Sequence, residues 1–276
     1  MPPEEHFAGH PEWFSLLKGK RTADRAQLCL TNPKLRDFMV GRVKSWLRES
    51  PGAGIISVSQ NDWYGACECA DCKALDDAEG SHAGTMLAFV NYVAEQIEPE
   101  FPHVAVDTLA YQYTRKPPKT IRPRASVIVR LCSIECNFRE PLDHPSNAAF
   151  ADDIRGWEKI CQRLYIWDYT TDFAHYVQPH PNWFTLDANL RFFAAHNVRG
   201  VFEQGAYQSH GSEMSELRAP PEQADARPDR AARVAPSLTQ SPCRSGLMFR
   251  RFSQRLRGKR AVLEQGHASR PGDARL

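Results

Sequence analysis

The chain has few marks of a membrane protein, a nucleotide-binding protein or a disulfide-stapled one. No window approaches the roughly 18 consecutive apolar residues of a membrane span. The opening Met1-Pro-Pro-Glu-Glu-His6 is acidic and has no apolar core, so it does not read as a secretory leader. No strand-like run leads into GxGxxG, or into GxxxxGK followed by Ser or Thr, and the nucleotide-binding version of an α/β sheet loses its support. HExxH spacing is also missing, so His175, His180 and His196 read as surface or loop histidines. Eight cysteines in 276 residues do not make a disulfide framework. Mean hydropathy is −0.52, low for a wholly folded α/β protein.

Charge and aromatic content divide the chain in two. Residues 219–276 hold twelve Lys plus Arg against five Asp plus Glu, an excess of seven positive charges. The formal charge is +2 overall, so residues 1–218 carry −5. All six Trp and all eight Tyr lie before residue 219. The tail is rich in Arg, Pro, Ala, Ser and Gly, a composition that buries too little apolar surface to offset chain entropy. Two expectations follow for it: disorder, or a frameshift near Arg218, where the text turns abruptly into an Arg/Ala/Pro mixture. A nucleic-acid partner is not expected, because the acidic body offers no matching basic face.

What is present in residues 1–218 is a recurring ending. Gly54–Asp62, Ser126–Glu135, Arg163–Asp168 and Gly200–Glu203 are each apolar runs with a carboxylate at or just past the C-terminal end. Between them lie helical patterns. Asn32 is placed to cap a helix that starts at Pro33 and runs to Trp46 and Leu47, and Thr85–Ile97, Ala148–Cys161 and Leu186–His196 carry apolar faces of helical period. Strands are predicted at Gln27–Thr31, up to Ser59, Val104–Tyr111, Val127–Ile134, Leu164–Trp167 and Val198–Phe202, making about six β/α units. Alternation with short links argues for a parallel sheet covered by helices. Polar side chains at most strand ends favour a partial (β/α)8 TIM barrel, with its chemistry at the C-terminal face of the strands. The chain also opens on a loop with no strand before it, which reads as a fragment lacking about two strands of such a barrel. The expected organisation is a partial barrel over residues 1–218 and a tail over 219–276.

Most cysteines fall within predicted elements and read as buried thiols, Cys29, Cys132 and Cys161 among them. Cys67, Cys69 and Cys72 crowd one loop. A tetrahedral zinc needs four ligands, and only three are local, so a fourth would have to come from His82, Cys136 or elsewhere. The expectation is no metal and a thiol cluster or disulfide that braces the loop carrying Asn61 and Asp62.

Carboxylates at strand ends read as a carboxylate enzyme; chemistry of the glycosidase kind would use two carboxyl groups, one protonated and one ionised. Glu135 and Glu203 form the leading pair, with ion pairing of either to Arg130 or Arg139 as the structural alternative. Asp62 is the third catalytic candidate, and Asn61 lies beside it. Trp63, Tyr111, Trp167, Tyr169 and Tyr207 offer ring faces for a sugar, with Asp168 and Gln204 as hydrogen-bonding neighbours. Trp13, Trp46, Trp157 and Phe192–Phe193 belong to the packed shell.

Several motifs in order carry a family resemblance over roughly residues 2–218. They are His10-Pro-Glu-Trp-Phe-Ser15, Gln27-Leu-Cys-Leu-Thr-Asn-Pro33, Ser59-Gln-Asn-Asp-Trp63 with Cys67-Glu-Cys-Ala-Asp-Cys72, Thr85–Asn91 and Phe202-Glu-Gln-Gly205. Together they resemble the bacterial family catalogued as domain of unknown function 4838, which overlaps glycoside hydrolase family 163. The resemblance implies a TIM-barrel glycosidase acting on β-linked N-acetylglucosamine in complex glycans, with no cofactor and an exported or periplasmic location. An oligosaccharide is the expected partner. The competing expectation is a carbohydrate-binding or remnant barrel that retains the groove without turnover.

Overall fold

A computed structural model describes residues 2–25, 27–175 and 178–205. The expected frameshift or disorder of the tail, and Tyr207 as a substrate contact, lie outside the described residues. In chain order the elements are helix α1 (Pro3–His6), strands β1 (Leu16–Leu17) and β2 (Lys20–Arg21), helix α2 (Pro33–Glu49), β3 (Ile55–Ser57), α3 (Ala70–Glu79), α4 (Ala83–Ile97), β4 (Ala105–Ala110), β5 (Val127–Cys132), α5 (Ala148–Glu158), β6 (Leu164–Tyr169), α6 (Leu186–Ala195) and β7 (Val198–Gln204). No helix among the described residues is long and apolar enough to cross a membrane.

The architecture is mixed α/β. Strands β3 to β7 form one five-stranded parallel sheet whose spatial order is their chain order. Each of β3 to β6 is therefore followed by a return over the sheet, and α4, α5 and α6 lie in three of those four returns. Their apolar stripes meet the same face of the sheet. Val90, Val93 and Ile97 of α4, Phe150, Ile154 and Trp157 of α5 and Phe193 of α6 share one core with Ile56, Val106, Val129, Leu131, Ile166 and Val201. Because side chains alternate along a strand, the intervening residues Asp107, Leu109, Arg130, Cys132 and Trp167 must face the other way. That second face positions the site.

Local signals explain the helix boundaries. Asn32 accepts a hydrogen bond from the Leu35 amide at 3.1 Å and Pro33 opens α2, as expected from the sequence. Gly80 ends α3 in the left-handed region at φ 64°, where a side chain would be strained.

Two elements differ from expectation. Gln27–Thr31 is not a strand of the sheet; it makes a single antiparallel bridge, Leu28 to Phe14. Its side chains are engaged elsewhere: Gln27 binds the 61–63 loop, and Cys29 turns into a buried thiol cluster with Cys67 and Cys72. The sheet consequently has five strands where six units were expected. The cysteine loop, in turn, becomes helix α3 from Ala70 onward. Among the shell aromatics, Trp157 and Phe193 are in the main core and Trp13 packs in a smaller one with Phe14 and Leu35. Trp46 is 39% exposed, its ring covered by the Arg42 guanidinium at 5.3 Å.

Candidate functional site

The C-terminal ends of all five sheet strands converge on a cavity of about 390 Å³. The segment after β3 contributes Gln60 and Asp62, β4 and its exit contribute Leu109 and Tyr111, β5 and its exit contribute Cys132 and Ile134, and β6 contributes Trp167 and Tyr169. Gln204 ends β7, and Phe173 comes from the loop after β6. Spacing by two along each strand is the physical reason these side chains meet.

Hydrogen bonds fix the walls. The Tyr111 hydroxyl donates to Asp62 Oδ1 at 2.9 Å, and the Trp167 indole N–H donates to Gln204 Oε1 at 2.7 Å. Thr114 Oγ1 donates to Gln60 Oε1 at 2.5 Å, and the same hydroxyl accepts from the Tyr111 amide at 3.1 Å, in a turn where Gln112 takes φ 52°. The Gln60 Nε2 donor is buried and has no hydrogen-bond partner among the described residues. Phe173 meets Tyr169 edge to face at 5.9 Å between ring centroids.

Beneath the cavity lies a buried ion pair. Arg130 Nη2 is 3.0 Å from Asp107 Oδ1, both side chains are almost wholly enclosed, and the guanidinium carbon stands 5.4 Å from the centre of the Trp167 ring. Burial pushes the Asp107 carboxyl upward and Arg130 opposes that rise. Burial also raises the Tyr111 and Tyr169 phenols and the Cys132 thiol well above their ordinary values, with the Asp62 carboxylate adding to the rise at Tyr111. These groups are neutral near pH 7. Asp62 is the one carboxylate lining the cavity among the described residues.

The other predicted residues fall in three places. Glu135 is ion-paired with Arg115, which also holds Asp153 at 2.6 Å; the partner is neither Arg130 nor Arg139. Asp168 and Glu203 stand opposite each other in the β6–β7 register, on the face that carries Ile166 and Val201 rather than on the cavity face. Asp168 is buried and accepts from Ser133 Oγ at 2.5 Å and from the Tyr169 amide at 3.0 Å, while burial pushes its carboxyl upward. Glu203 is pushed up to about 8 by crowding from protein and by the charge of Asp168, with water on its exposed side softening the effect. Two acids side by side without an intervening cation retain a proton between them.

Asn61 and Trp63 do not line the strand-end cavity. The Asn61 amide donates to Gln27 Oε1 at 3.0 Å, and Gln27 Nε2 donates to the Asn61 and Trp63 carbonyls at 2.9 and 2.5 Å. Asn61 instead lines a second cavity of about 190 Å³ between the sheet edge, α2 and α4, together with His82, Asp76 and Tyr113. Trp63 is 45% exposed, with Arg25 5.3 Å from its ring centre. The backbone groups of both residues tie their loop to Gln27.

Sequence reasoning passed over Gln60, Leu109, Cys132, Ile134 and Phe173, and with them the Asp107–Arg130 pair. One signal was available. Asp107 and Arg130 are charges in otherwise apolar strands, and counting by twos from them reaches Leu109 and Tyr111 on one strand and Cys132 and Ile134 on the other.

No curated protein matches the chain. A family model described as domain of unknown function, DUF4838, matches residues 1–219, which includes every strand and helix above, and on that match the chain belongs to the DUF4838 family.

Proposed function

We propose that this protein is a glycoside hydrolase and that its sugar is held in the strand-end cavity. The observation that carries the reading is the combination of aromatic walls with a single tethered carboxylate: Tyr111, Trp167 and Tyr169 around Asp62, with the unpartnered Gln60 amide donor beside it. Ring faces suit the C–H surfaces of a pyranose, and a buried amide without a partner suits a sugar hydroxyl. The sheet is read as a sector of a (β/α)8 barrel. Its strands run in chain order without reversal and its packed helices cover one face, whereas a doubly wound sheet reverses order and carries helices on both.

In this reading Asp62 is the carboxylate at the scissile bond, oriented by the Tyr111 hydroxyl. Glu203, one residue before the cavity-lining Gln204 and turned to the other face of the sheet, is the candidate acid at the strand end, its proton affinity raised by burial and by Asp168. Glu135, held by Arg115, takes a structural part. The substrate class is a glycan bearing β-linked N-acetylglucosamine, as the family resemblance implies. Its acetamido group would itself serve as nucleophile, with one carboxylate to orient it.

The test is hydrolysis of a chromogenic β-N-acetylglucosaminide and of a complex N-glycan by the full chain. Turnover is expected, and Asp62→Asn is expected to remove it while glycan binding by calorimetry persists. A second reading rests on a specific observation: among the described residues, one carboxylate, not two, lines the cavity. Saturable glycan binding with no turnover by folded protein would select a carbohydrate-binding protein instead. Absence of both would exclude a sugar site here.

A further inference from the structure

Four cysteine sulfurs meet beside the 60–66 loop, outside the strand-end cavity, with Cys67 and Cys72 lining the second cavity. Cys29, Cys67, Cys69 and Cys72 have their Sγ atoms all within 4.8 Å of one another, with Cys29 3.6 Å from Cys69 and 4.0 Å from Cys72. Three of the four side chains are buried, and Leu16 closes over them. All four are free thiols.

We propose that these four residues form a closed structural zinc site, with Cys29 as the ligand that the local Cys67, Cys69 and Cys72 triad lacks. The geometry is the main argument. Four thiolates about 2.3 Å from a central zinc stand about 3.8 Å apart at the corners of a regular tetrahedron. The two measured separations bracket that value. A disulfide requires about 2.0 Å between sulfurs, and none of these is so placed. A tetrahedral set of four sulfurs selects zinc or iron among the common ions, and a closed site without an open position is the structural arrangement.

The surroundings supply what such a site needs. The Leu16 amide donates to Cys67 Sγ at 3.3 Å, Arg21 Nη1 donates to the same sulfur at 3.6 Å, and the Thr31 hydroxyl lies 3.1 Å from Cys72 Sγ. Donors of this kind orient thiolate ligands and offset the net negative charge of four thiolates on a divalent ion. Cys69 caps α3 and Cys72 lies in its first turn, where exposed amides favour negative charge.

The site would join two segments that secondary structure leaves unconnected: residues 27–31 and the 67–69 turn that leads into α3. Its reach extends to the cavity. Gln27, two residues before Cys29, holds the Asn61 and Trp63 carbonyls, and Gly65, two residues before Cys67, takes φ 120° with Leu17 3.2 Å from where its Cβ would be. The metal would therefore brace the loop that presents Asp62, a positioning role.

The test is elemental analysis of the full chain purified without added metal, together with cobalt(II) replacement and thermal unfolding. One equivalent of zinc per chain is expected, with the intense visible bands of tetrahedral thiolate cobalt after exchange and a lower Tm after chelation. Cys29→Ser and Cys72→Ser should each lose the metal, whereas Cys136→Ser should retain it. Should the serine variants fail to fold, the metal content and cobalt spectrum of the unaltered chain still decide. Folded protein without metal, disulfides among the four residues by mass spectrometry, full zinc retention by Cys29→Ser, or iron in place of zinc would each overturn the proposal.

Discussion

The two faces of the sheet bury acids in opposite ways. On the cavity face, Asp107 is enclosed but stands 3.0 Å from the Arg130 guanidinium. On the helix-facing side, Asp168 and Glu203 lie side by side on neighbouring strands, with a Ser133 hydroxyl and, among the described residues, no ion-pair partner. The first arrangement compensates a charge and serves the fold. In the second, burial raises the proton affinity of both acids, and the charge of Asp168 adds to the rise at Glu203. Enclosure raises all three acids; the nearest charge opposes that rise at Asp107 and adds to it at Glu203.

The largest expected effect comes from separating the compensated pair. Arg130→Met leaves Asp107 buried without its cation and should cost about 3–5 kcal/mol of stability, measured by urea unfolding. Adding Asp107→Leu should recover most of that loss. If the single change costs as little as a surface substitution, Asp107 is not held by Arg130 and the contrast between the faces fails.

The cavity-face acid that touches no cation should matter for rate. Asp62→Asn is expected to lower kcat by about 100-fold or more, the scale of a positioned acid or base, with little change in unfolding midpoint. A smaller loss would move the chemistry towards Glu203. Trp167→Ala should raise KM and lower stability together, because its ring covers Arg130 and its indole holds Gln204. That double effect separates it from Asp62→Asn.

The acid pair predicts a pH dependence of definite sign. Glu203 has its folded-state value raised to about 8 from an ordinary 4.5, so the folded state binds more protons than the unfolded state between those values. Stability from this group is therefore present below about 4.5 and is lost as pH rises through about 8. Glu203→Gln should flatten the decline in Tm between pH 5 and 8. An identical slope in both proteins would place the proton elsewhere. The smallest effect belongs to Trp63→Ala, whose exposed ring lies outside the cavity; stability should change by about 0.5 kcal/mol or less, with kcat unaltered.

The strands and helices were legible because their patterns are local. Short apolar runs marked β4 to β7, and Asn32 with Pro33 marked the start of α2. Asp62, Tyr111, Trp167, Tyr169 and Gln204 were also identifiable as strand-end residues and do meet in one cavity. Glu135 and Glu203 looked equivalent to them in sequence, but facing depends on strand parity and on partners far along the chain. Arg115, twenty residues before Glu135, claims one, and the β6–β7 register sets the other beside Asp168.

The sequence by itself determined the periodicities, the caps and the residues at each strand end, all set by interactions between near neighbours. Tertiary structure decided which strand face the acids occupy, that Gln27–Thr31 leaves the sheet, and that Cys29 joins three cysteines some forty residues away. Those outcomes depend on which distant groups can be brought within hydrogen-bonding or ligand distance once the core has packed, and no local pattern encodes that choice.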